Sequence, residues 1–392
     1  MAINHHTTVS YSLMKNNRKY YSGSSLPIEL VDELVSNDIE LQLPLRKLLT
    51  NRTDDMTGWA SHYGGLDVLY RYCRGLPGLI PAFNALWQHG CAEPWLYKKY
   101  PRTLVYNTEC EFNKLILVAN EDQRASLVNI GYSNVEAIGL PICYCIADSS
   151  LTNKRRKKLL FMPVHALDGA PFENLRDIQN YTEYILDFAK TGLDVSVCLH
   201  MSCIRNHQWW PELLGNGVRI VAGADHSDSN SLTRVWSILT QFEYVSTNDT
   251  GGHVFYALAA DCKLSICGPK VEYTFAQMYK DISFRRAIDI GTNYQDTNVI
   301  REKIAFSSRF QCLPIDGKSD QRLGLQMIGF SNRLKPRDVR ILLRWTYFDQ
   351  FKKIPTVLKQ CIVSTLQWLR YRIGIRTRIR AIIYYLFKSK LS

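Results

Sequence analysis

From Leu159 onward, short apolar runs alternate with amphipathic stretches of helical spacing, and this alternation leaves few folds open. The runs are Leu159–Val164, Val195–Leu199, Val218–Ala222, Tyr244-Val245 and Lys263–Cys267. Between them, Leu175–Lys190, Leu232–Thr240 and His253–Ala260 repeat apolar residues with a helical period. Strands separated by helices pair in parallel through right-handed crossovers, so an α/β sheet of Rossmann-like type is expected. Such sheets bind ligands at the carboxyl ends of their strands. The loops there carry His165, Asp168, Gly169, His226, Ser227 and Thr247–His253.

The stretch Ser246–Pro269, STNDTGGHVFYALAADCKLSICGP, concentrates these signals. Thr247, Asn248, Asp249 and Thr250 are capping types, and the helix they precede opens with backbone N–H groups and the positive end of its dipole. Gly251 and Gly252 carry no Cβ, so a ligand can approach the backbone closely. Together these features suit a phosphate, though an ordinary capped helix is equally compatible with them.

Ahead of this region lies a second, less regular set. Pro27–Leu49 carries apolar residues at helical spacing. Leu79–Leu86 is a short apolar run ending at Trp87-Gln88-His89-Gly90, and Thr103–Tyr106, Leu115–Ala119 and Val135–Ile138 read as strands. Asn120-Glu121-Asp122 starts a helix that Gly131 stops. His89 falls on a loop just after a strand, where an imidazole is suited to proton transfer near neutral pH. The polar, basic residues 149–158 read as a linker.

Charge separates a further segment. The net charge is +12, but residues 333–392 hold fifteen Lys or Arg against Asp338 and Asp349, so the rest of the chain is close to neutral. That concentration gives no reason to expect the globular part to bind nucleic acid. In the tail, Arg370, Arg372, Arg376, Arg378 and Arg380 interleave with Trp368, Tyr371, Ile373, Ile375, Ile379 and Tyr384. An amphipathic basic helix with aromatic residues is expected to lie on an anionic membrane surface. No run reaches the ~20 apolar residues of a spanning helix, and the N-terminus lacks the apolar core of a signal peptide. The eleven cysteines are scattered without CxxC spacing or paired histidines, so buried thiols in a reducing compartment are expected rather than a metal site.

With these residues in view, the chain resembles the GT-B glycosyltransferases, especially those that make bacterial surface polysaccharides (capsule and O-antigen). LILVANEDQRASLVNIGYSNVEAIGLPI (115–142) looks like the end of a GT-B N-terminal domain. FMPVHALDG (161–169) looks like the opening strand and loop of the C-terminal domain, and Ser246–Pro269 like its donor-binding loop and helix. The resemblance implies two Rossmann-like domains with a cleft between them, plus the basic helical tail. Residues 1–148 would form the acceptor domain, 149–158 the linker, 159–332 the nucleotide-sugar donor domain and 333–392 the tail.

The same resemblance implies a sugar transferred from a nucleotide-sugar donor to a glycan or lipid-linked acceptor, and the tail would place that reaction on the cytoplasmic face of the membrane. It implies no cofactor and, with no Asp-x-Asp triad in the chain, no metal. His89 would be the base. His165, Gly169, Thr247, Asn248, Thr250, Gly251, Gly252 and His253 would hold the donor and its phosphates. Trp87-Gln88-His89-Gly90 also resembles the corresponding step of the polyol-phosphate transferases of teichoic acid synthesis. Those enzymes carry Asp-Tyr-Ser-Ser where this chain has Asn248-Asp249-Thr250-Gly251. A sugar-nucleotide epimerase and a non-catalytic scaffold of the assembly machinery are the other readings open at this point.

Overall fold

The computed structural model describes residues 39–46, 60–73, 83–88, 90–105, 114–146, 156–166, 171–271, 273–280, 282–346, 348, 349 and 368. The chain divides into two compact units, Met1–Arg74 with Phe83–Pro336, and Gly75–Ala82 with Arg337–Ser392. The first contains both sheets.

Its first half opens with α1 (Gly65–Cys73) and builds a parallel three-stranded sheet, β1 (Ala85–Trp87), β2 (Leu115–Val118) and β3 (Val135–Ala137), in that spatial order. Asn120 caps the helix α2 (Glu121–Val128), its side chain accepting from Gln123 N at 3.1 Å. Leu86, Ile116, Val118, Leu127 and Val135 bury against Tyr97 and Tyr132 to form this half's core. The helix α3 (Pro141–Ile146) leaves the sheet, with Pro141 at its first turn.

Two expectations are corrected here. Thr103 and Leu104 belong to a 3-10 turn, Pro101–Leu104, rather than to a strand. Pro101 fixes the φ of a turn, and both Thr103 N and Thr103 Oγ1 donate to Tyr100 O, at 3.0 and 2.7 Å. The helical reading of Pro27–Leu49 does not hold for residues 39–46, which are non-helical; its apolar positions at 28–35 lie outside the described residues. Residues 39–46 run along the edge of the second sheet, where Glu40 N donates to Ile220 O at 2.9 Å and Ala222 N to Glu40 O at 2.8 Å. Arg234, fully buried, holds that segment by donating to Leu43 O and Pro44 O while pairing with Asp228 at 2.6 Å.

The second sheet contains β4 (Arg156–Phe161), β5 (Val195–Leu199), β6 (Arg219–Ala222), β7 (Phe242–Thr247) and β8 (Lys263–Ile266), all parallel, in the order β6-β5-β4-β7-β8. Every residue of β5 is buried, as a strand covered on both faces requires. Among this half's helices are α4 (Leu175–Lys190), α5 (Met201–Arg205), α6 (Ser231–Leu239), α7 (Gly252–Ala259), α8 (Thr297–Arg309) and α9 (Gln321–Ile328). The strand β4 starts at Arg156, inside the expected linker. Lys158 is held there by Asp194 at 3.0 Å, so basic residues at the solvent end of a strand do not prevent pairing.

The strand order places the chain's reversal between β4 and β7. From β4 the chain winds outward through β5 to β6, then α6 returns it past β4 to β7 and β8. Open α/β sheets carry their ligand crevice at such a reversal, here the carboxyl edge of β4 and β7. The α9 helix ties the two halves: Leu140 N donates to Ile328 O at 2.9 Å, and Asn120 Nδ2 to Gln326 O at 3.2 Å.

In the second unit, Trp345 N donates to Arg340 O at 2.7 Å, and Thr346 and Asp349 bond each other's backbone and side chains. The tail's residues 351–367 and 369–392 lie outside the described residues. No helix among the described residues is long and apolar enough to cross a membrane.

Candidate functional site

The crevice between β4 and β7 gathers most of the residues singled out from the sequence. Met162 N donates to Ser246 O at 2.8 Å, extending the β4–β7 ladder to the crevice. There Asn248 takes over: its Oδ1 accepts from Val164 N at 3.0 Å and its Nδ2 donates to Pro269 O at 3.4 Å. Asn248 is buried, and both ends of its amide are committed to bracing the three loops around the crevice.

Thr247 and His253 form a pair, with Thr247 Oγ1 2.9 Å from His253 Nε2 and 3.1 Å from Asp249 O, to which it donates. Burial lowers the His253 pKa to about 4; a charge on neighbouring His165 would oppose protonation further, while Asp249 favours it weakly. His253 is therefore a neutral imidazole near pH 7. The His165 ring stacks on His200 at 4.4 Å between centroids, and its Nδ1 lies 2.9 Å from Ala166 O, which requires the proton on Nδ1. His200 in turn caps α5, its Nδ1 accepting from Ser202 N at 3.1 Å.

The helix α7 begins at this crevice with Gly251 as its N-cap and no side-chain cap. A Cβ at Gly251 would lie 3.0 Å from His253 Nδ1. A Cβ at Gly252 would lie 3.6 Å from Cys91 N, so the loop that follows β1 approaches the helix start from the first half. His89 and Gly169 lie outside the described residues.

Three further groups converge here that the sequence reading did not single out. Lys303, on α8, pairs with Asp249 at 2.8 Å. Glu93, just before the short helix Pro94–Tyr97, places its carboxyl beside Thr250 and Lys303. Burial raises the Glu93 pKa, Asp249 raises it further, and Lys303, Thr250 and Trp95 pull it back in part. Cys91 sits against the same start of α7, its thiol pushed up by burial and by Glu93. Glu93 is only four residues past His89, but Glu-Pro reads as a helix start. Lys303 stands 54 residues after Asp249, a separation that no local pattern spans.

Among the described residues no group of three or more His, Cys, Asp or Glu is arranged to hold a metal ion. What the arrangement offers is an uncapped helix start, a lysine, hydroxyls from Thr247 and Thr250, and titratable groups from both halves. An anion at the helix start would meet backbone N–H groups and a nearby ammonium.

No family model matches this chain, and no curated protein does. Twelve chains of solved structures match. One of them, "Crystal Structure Analysis of the Glycotransferase of kitacinnamycin", is 15% identical, with 59% of this chain and 55% of that chain covered and a TM-score of 0.28. The chain thus spans about half the length of that structure.

Proposed function

We propose that this chain is a glycosyltransferase of GT-B arrangement, moving a sugar from a nucleotide-sugar donor to a glycan or lipid-linked acceptor of a surface polysaccharide. The observation that carries the reading is the convergence at one crevice. At the β4–β7 reversal of a parallel sheet, an uncapped helix start, Lys303 and the Thr247–His253 pair face a loop of the other sheet-bearing half. Open α/β sheets bind nucleotides at such reversals.

Transfer of a glycosyl group requires a stabilised leaving diphosphate, a deprotonated acceptor hydroxyl and little water. The start of α7, Lys303 and the Thr250 hydroxyl are suited to the first. Neutral His253 adds no charge there, its Nε2–H donating to Thr247 Oγ1 and its Nδ1 left as an acceptor, and His165 and Gly169 follow β4 in the sequence as further donor contacts. A group on the loop after β1, which carries His89, takes the acceptor's proton. The first half, residues 1–148, would bind acceptor and residues 159–332 donor, joined through 149–158. The basic tail, from about Pro355 onward, would hold the enzyme on the cytoplasmic face of the membrane, beside a lipid-linked acceptor.

The test is a thermal-shift screen with UDP-, GDP-, CMP-, CDP- and dTDP-sugars, with CDP-glycerol as a further arm. A donor present at 100 times its Kd stabilises by about 2.7 kcal/mol, which one of the sugar nucleotides is expected to do. Stabilisation by CDP-glycerol alone would redirect the reading to polyol-phosphate transfer. No shift with any of them would refute a nucleotide site.

A further inference from the structure

Glu93 precedes Pro94, and the proline holds it extended, at φ −72° and ψ 128°, in the N-cap position of Pro94–Tyr97. A capping side chain there, most often Ser, Thr, Asp or Asn, turns onto the helix's own N–H groups. Glu93 makes no such cap. Its Oε2 accepts instead from Trp95 Nε1 at 3.1 Å, and the carboxyl faces the second half.

The surroundings are dry on one side and charged on the other. Trp95 packs on Phe306 at 5.0 Å between ring centroids, and Phe306 on Phe255 at 5.5 Å. Lys303 lies one turn before Phe306 on α8 and is paired with Asp249. The groups facing the Glu93 carboxyl are Lys303 from α8, Asp249 and Thr250 from the loop after β7, and Trp95 and Cys91 from its own loop. Lys303 is thus paired directly with Asp249, and its charge also acts on the Glu93 carboxyl. Burial opposes ionisation of the Glu93 carboxyl.

We propose that Glu93 is the proton acceptor for the incoming hydroxyl, an assignment that rests on the glycosyl-transfer reading above. The hydroxyl proton passes to a Glu93 carboxylate oxygen as its oxygen bonds the anomeric carbon. The bond from that carbon to the donor phosphate breaks, and its electron pair leaves with the diphosphate. Glu93 then takes the role that His89, on the same loop, would otherwise fill.

The experiment compares full-length wild type, Glu93→Gln and Glu93→Asp with UDP-, GDP-, CMP-, CDP- and dTDP-sugars. Donor binding is followed by calorimetry, and nucleotide release to water as acceptor is followed from acid to alkaline pH. Glu93→Gln is expected to bind donor within about twofold of wild type but to release nucleotide roughly 10²–10⁴-fold more slowly, with the acid limb of the profile gone. Glu93→Asp keeps that limb. Carboxyl ¹³C titration, by difference between wild type and Glu93→Gln, should place Glu93 above the ordinary value of about 4.3. Wild-type release by Glu93→Gln with donor binding intact overturns the assignment alone. So does an acid limb that persists in Glu93→Gln and vanishes in His89→Ala, or a Glu93 titration in the ordinary range. If wild type binds none of the donors, the site reading fails and the assignment falls with it.

Discussion

The seam between the two halves of the first unit can be tested at one glycine. Gly329 ends α9 in the left-handed region, at φ 72° and ψ 34°. A Cβ added there would lie 1.7 Å from Ala119 O and 2.4 Å from Ala119 C, both backbone atoms at the end of β2. Gly329→Ala therefore meets two penalties. A non-glycine residue in this conformation costs roughly 1–2 kcal/mol. Overpacking costs about 1–3 kcal/mol more. If the end of α9 withdraws to relieve the clash, it strains the bonds from Leu140 N to Ile328 O and from Asn120 to Gln326 O, each worth about 1 kcal/mol. The expected loss is about 2–5 kcal/mol, rising to at most about 7 kcal/mol if both bonds are lost. Gly192→Ala is the control: φ is +82°, but nothing lies within 4 Å of the added Cβ, so only the conformational cost applies, roughly 1–2 kcal/mol. Urea unfolding followed by tryptophan fluorescence measures both, provided the transitions stay single and equally steep. Equal destabilisation by the two variants would show that Ala119 does not confine the end of α9, and the account of the seam would be wrong.

Acid should act through His253. Its folded pKa of about 4 lies below the ordinary histidine value, so the unfolded chain takes up the proton first. The associated stability is present above about pH 6.5 and falls as pH drops toward 4, with a slope of at most about 1.4 kcal/mol per pH unit. His253→Gln should flatten that window in urea titrations at stepped pH, and an unchanged acid dependence would remove His253 as its source. For the tail, wild type should sediment with liposomes containing anionic lipid at low salt and release at high salt, whereas a truncation after Lys353 should stay in solution. Equal sedimentation of the two would end the membrane assignment.

The second sheet was legible in the sequence because parallel strands buried on both faces must be almost continuously apolar. Leu175–Lys190 and Val195–Leu199 are bounded in the structure as the pattern suggests, and the Gly251-Gly252 step does open a helix at the carboxyl edge. Local chemistry also located Asn120 as a cap, since a cap bonds within a few residues of itself. Thr103 shows where an apolar run misleads: a proline two residues earlier decides a turn, and only its bonds to Tyr100 reveal it.

What the sequence could not determine is which distant groups share the crevice. Asn248 was expected at the donor, and only the fold shows that its amide also bonds Val164 and Pro269. Glu93 drew no notice in the sequence, yet folding brings its carboxyl toward Lys303 and Thr250 from the other half. Residue type and spacing set a side chain's chemistry and its local backbone. The neighbours that raise, lower or occupy it come from strand order and from the packing of one half on the other, and those depend on contacts far apart in the chain.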